Sequence, residues 1–66
     1  MDEAAVEIGA RAMFAAFSRT TDALDRWDRG KVKSHVKEAF QAEFRAALTA
    51  LHQAGYFLHQ TTGRGG

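Results

Sequence analysis

Apolar residues recur through the first half of the chain at alternating intervals of four and three: Val6, Ala10, Met13, Phe17, Thr20, Leu24 and Trp27, with Thr20 the one polar member. That alternation is the seam of a heptad repeat and predicts one long amphipathic helix. Phe14 sits beside the seam and widens its apolar face. Asp2 is placed to cap the helix, and Glu3 favours its positive end. Three acid-first pairs four residues apart, Glu7–Arg11, Asp22–Arg26 and Asp25–Arg29, keep the same period. Each adds about 0.2–0.5 kcal/mol to a helix.

Gly30 interrupts the pattern directly after Arg29 and suits the left-handed position beyond a helix end. The chain then either resumes at Lys31 or restarts with Ser34 as a cap. In the second segment Val36, Phe40, Phe44, Ala47, Leu48, Leu51 and Leu58 make one broad apolar face. Glu38, Arg45, His52 and His59 recur every seven residues on the opposite side, the division of a helix packed on one face.

Two segments of about 25–28 residues, each near 40 Å at 1.5 Å per residue, predict an all-α antiparallel hairpin of two long amphipathic helices. It forms a single domain over residues 1–60 with its turn near 29–34, and Thr61–Gly66, reading TTGRGG, is expected to be a flexible tail. A lone hairpin leaves much of both apolar faces uncovered, so two copies are expected to close a four-helix bundle as a homodimer. The alternative is a small three-helix fold, because Ser18, Arg19, Thr20, Thr21 and Asp22 can interrupt the first helix. Gly9 and Gly55 each cost about 1 kcal/mol inside a helix. Gly55 can instead end the second helix, although a continuous helix is the expectation.

Composition sharpens this picture. Ala, the best intrinsic helix former, accounts for 13 of 66 residues, and strand formers are scarce, so no sheet is expected. A chain this short builds a thin core. It has no Cys, which removes disulfides and thiolate metal sites and leaves self-association as the expected source of extra stability. Hydrophobic residues at 45% and charged residues at 26% fit a globular chain. No stretch approaches the roughly 20 apolar residues that span a bilayer, so no membrane insertion is expected. The acidic N-terminal stretch lacks the basic flank of a signal peptide, and a cytoplasmic location follows as the expectation.

Candidate chemistry is sparse. His52 and His59 share a face but stand about 10.5 Å apart along a helix, too far to hold one metal ion, and His35 is farther still. Asp22, Asp25 and Asp28 lie beside Arg26 and Arg29, which opposes the raised carboxyl pKa an acid catalyst needs. Ser18 and Ser34 have no His–acid arrangement nearby to activate them. The phosphate-binding glycine patterns are absent, and Arg64, Gly65 and Gly66 form a single RGG triplet. No catalytic residue, metal or cofactor is therefore expected.

Binding features are clearer. Residues 1–29 carry a net charge of −2 and residues 30–66 a net +3, with Arg26, Arg29, Lys31, Lys33, His35 and Lys37 gathered near the turn. Lys and Arg at a helix C-terminus complement its dipole. The same cluster supports an alternative in which Arg26, Arg29, Lys31, Lys33 and Lys37 meet nucleic-acid phosphates. Trp27, Tyr56 and Phe57 are the candidate anchors for a protein partner. Val6, Met13, Phe17, Leu24, Phe40, Phe44, Leu51 and Leu58 are candidates for the core or the dimer interface. The leading expectation is a non-enzymatic helical module that dimerises and binds or inhibits another protein.

Overall fold

The computed structural model describes residues 3–56 of the 66. They form three helices and no strand: α1 (Glu3–Ser18), α2 (Ala23–Asp28) and α3 (Ser34–Gln53). The described residues are thus all-helical, and the first long helix expected from the seam is divided in two, giving the three helices of the alternative reading.

The division falls at Arg19. Its φ of 57° is left-handed, and its N–H donates to the Ala15 carbonyl at 3.1 Å, closing α1 with a single terminal bond. An L-residue in this conformation costs about 1–2 kcal/mol. What outweighs that cost is the return of α2 across α1, which leaves Trp27 only 1% exposed. Burying an indole is worth roughly 4–6 kcal/mol at about 25 cal/mol per Å².

The other two helix ends follow their glycines. Gly30 (φ 71°) donates to the Trp27 carbonyl at 3.3 Å, and the Lys31 N–H donates to that of Arg26 at 2.8 Å. Gly55 (φ 95°) repeats the arrangement, donating to His52 at 3.0 Å while the Tyr56 N–H reaches Leu51 at 2.9 Å. These paired bonds satisfy the last carbonyls of each helix and need a residue tolerant of positive φ. The continuous second helix is accordingly corrected to one that stops at Gln53.

The start of α3 also differs from expectation. Ser34 is its first helical residue, and the capping position belongs to the extended Lys33, which makes no side-chain capping bond. Asp22 before α2 makes none either.

The pairing of Glu3 with Arg45, Glu7 with Gln41 and Phe14 with Phe40 makes α1 and α3 antiparallel. Among the described residues the buried apolar set is Val6, Ala10, Phe14, Ala23, Trp27, Val32 and Leu48. On α1 the buried positions step by four, so Phe14 carries the core where the seam pointed to Met13 and Phe17. After the break the core resumes at Ala23 and Trp27, leaving Leu24 40% exposed. Phe14 lies 5.4 Å from Trp27 and 5.7 Å, edge-on, from Phe40, joining all three helices through aromatic contacts.

Candidate interaction surface

At 100° per residue, Glu7 and Arg11 lie on one flank of α1 and Gly9 and Met13 on the other, with Val6 and Ala10 between them. The first flank is polar and faces α2. The Glu7 carboxylate accepts the indole N–H of Trp27 at 2.5 Å through one oxygen and the Gln41 amide at 3.0 Å through the other. One acidic side chain on α1 therefore satisfies the polar atom of the buried Trp27 and ties in α3. Arg11 clasps Asp28 with two parallel bonds, Nε at 2.8 Å and a terminal nitrogen at 2.7 Å. That bond, more than charge alone, holds the Asp28 carboxyl below its ordinary range and raises the Arg11 pKa. Arg45 reaches back to Glu3 at 2.6 Å, so it borders α1 and is not on the outer side of α3 as its spacing suggested.

The flank away from α2 has a different character. The ring of Phe44 lies flat against the α1 backbone at Gly9, where a β-carbon would stand 2.2 Å from Phe44 Cζ. Phe17, 76% exposed, meets Phe40 at 5.7 Å. Helical spacing continues this surface from Gly9 to the half-buried Met13 on α1, and from Phe40 and Phe44 to Ala47 and the 46%-exposed Leu51 on α3. Met13, Phe17, Phe40, Phe44 and Leu51 thus make one apolar face across the α1–α3 pair, with no element of the described chain upon it. All five were among the residues proposed for core or interface.

The remaining expected sites divide. Val6 belongs to the core. Trp27, expected as an exposed partner anchor, is corrected to a core residue: its ring is enclosed by Phe14 and its nitrogen is engaged by Glu7. Tyr56 is well exposed. Phe57, Leu58 and His59 lie outside the described residues, as do Asp2 and the tail. Ile8, on the outer side of α1, is exposed at 70% and stands outside the seam that led to the other candidates.

The basic cluster is less available than its composition implied. Lys37 Nζ stands 4.9 Å above the Trp27 ring, Arg26 lies 6.0 Å from the centre of Phe14, and Arg29 pairs with Asp25 at 3.0 Å. Lys31, Lys33 and His35 are exposed near the start of α3. Of the three expected acid-first pairs only Asp25–Arg29 forms an ion pair, because Arg11 turns to Asp28 and Arg26 to Phe14.

Among the described residues no group of three His, Cys, Asp or Glu side chains is placed to hold a metal ion, and no helix is long and apolar enough to cross a membrane. Comparison with protein-family models, curated proteins and solved structures finds no match to this chain.

Proposed function

We propose that the protein is a non-enzymatic helical interaction module that works as a homodimer, docking through the face made by Met13, Phe17, Phe40, Phe44 and Leu51 and serving as an accessory or inhibitory factor for another protein. The absence of Cys suits a reducing, cytoplasmic setting. The observation that carries the reading is Phe17, a phenyl group 76% exposed at the Phe40 end of an apolar surface, in a chain with little core to spare. The opposite flank is closed by ion pairs and by α2.

Sedimentation equilibrium over a wide concentration range tests the reading. The 7.3 kDa chain is expected to reach about twice its mass. Phe17→Ser and Leu51→Ser should each weaken association by about tenfold or more while helicity is retained, since both side chains project from the monomer. A wild-type chain that stays monomeric at millimolar concentration overturns self-association.

A further inference from the structure

We propose that the break between α1 and α2 is reversible, and that in the dimer these two helices fuse into one whose seam packs against a second copy of this chain. The proposal rests on the self-association reading above and concerns how that same surface is completed. Four observations carry it. The break contains neither Gly nor Pro: residues 18–23 read SRTTDA, and the left-handed position falls on Arg19. No side-chain cap stabilises the restart at Asp22. The heptad seam runs unbroken through these residues in the sequence, and its members Phe17 and Leu24, on either side of the break, are exposed in the compact chain. Finally, Glu7–Arg11 and Asp22–Arg26 stand four residues apart with the acid first but form no ion pair here. Straightening releases Glu7 from Trp27, Arg11 from Asp28 and Arg26 from Phe14, which leaves both pairs free to form.

The compact and straight forms therefore exchange one set of contacts for another. In the compact form Trp27 folds onto Phe14, and Arg11 holds Asp28. In the straight form Glu7 and Arg11 regain each other, and Met13, Phe17, Leu24 and Trp27 align along one side. A second copy supplies the cover. Aromatic side chains bury about 150–250 Å² each, so Phe17 and the released Trp27 offer about 400 Å² per chain, and Met13 and Leu24 beside them extend this toward the roughly 800 Å² each partner contributes to an interface of standard size. A foreign helix could fill the same seam, but a chain whose own seam is heptad-spaced already presents the matching surface to its copy.

The chain is free of Cys, so spin labels can be placed at will on the exposed positions in Ala12→Cys/Arg29→Cys. These residues neighbour the Arg11–Asp28 clasp in the compact form, and in a continuous helix they stand about 25 Å apart along its axis. Pulsed electron–electron resonance, with labelled chain diluted into unlabelled chain, should show a population near that longer separation at concentrations where sedimentation gives dimer. The population should vanish on dilution to monomer. Arg19→Gly relieves the left-handed residue and weakens a helix through it, and both chains of the dimer must straighten, so it should weaken dimerisation by about 100-fold or more. Thr20→Ala/Thr21→Ala should strengthen it. A dimer showing only the short separation, or an Arg19→Gly chain that dimerises as tightly as wild type, overturns the proposal and leaves self-association by rigid docking intact. A chain that never dimerises overturns both.

Discussion

Gly9 is the residue where intrinsic propensity and packing disagree most sharply. In isolation, glycine inside a helix costs about 1 kcal/mol relative to alanine, so Gly9→Ala looks stabilising from sequence. The Phe44 ring occupies the space the new methyl would need, and a β-carbon 2.2 Å from Cζ forces the ring away from α1. Displacing a rigid packed ring costs about 1–3 kcal/mol. We therefore expect Gly9→Ala to lower stability by about 1 kcal/mol in denaturant unfolding, and to become neutral or stabilising in a Phe44→Leu background, where the ring is gone. Additive effects of the two changes would show that Phe44 does not dictate glycine here. Lys33 offers the opposite case. It occupies the cap of α3 with a side chain that makes no capping bond and carries positive charge at a helix N-terminus. Lys33→Asn should add about 0.5–1 kcal/mol, read as a higher melting temperature.

Between elements, the burial of Trp27 and its hydrogen bond to Glu7 hold α2 on α1, and the exposed Arg11–Asp28 clasp adds to them. Because the Arg11 hydrogen bond lowers the Asp28 pKa in the folded chain, the stability it contributes is present above the unfolded carboxylate value of about 3.9 and is lost as pH falls through the lower folded value. Acid titration of thermal stability should thus show a decline below about pH 4 that is shallower in Asp28→Asn, whose side chain does not titrate. Identical slopes would show that the clasp adds nothing to the folded state. At this scale the sequence was legible wherever a residue type has one geometric use. Gly30 marked its helix end, and the four-and-three spacing marked helices throughout. The break at Arg19 was legible only as an alternative, since Ser18–Asp22 can interrupt a helix but nothing local in SRTT demands it. It exists because Trp27, twenty residues from Glu7, finds a buried site and a hydrogen-bond acceptor only when α2 turns back. The same long-range choice moved the core from Met13 and Phe17 to Phe14, and turned Trp27 from a candidate anchor into the centre of the fold. The apolar face was legible as a set of residues, whereas its separation from the core depended on which side α2 would cover.

For the whole molecule, the balance between charge and apolar surface sets what salt will do. The ion pairs Arg11–Asp28, Glu3–Arg45 and Asp25–Arg29 lie on the surface, where each is worth little and is screened at moderate ionic strength. The proposed interface is apolar, so screening leaves it largely untouched, and an excluded salt such as sulfate strengthens it. A binder driven by Lys31, Lys33 and the other basic residues near the turn would respond in the opposite sense, losing affinity steeply as salt rises. Melting temperature measured across protein concentration separates these behaviours in one experiment, because association with the folded state raises it by mass action. We expect it to climb with protein concentration, to keep that slope within about twofold from low to moderate sodium chloride, and to climb further in sulfate. A melting temperature independent of concentration in all three conditions would mean that the Phe17–Phe40 face contributes nothing between copies, and that seven buried apolar residues hold the described fold without help.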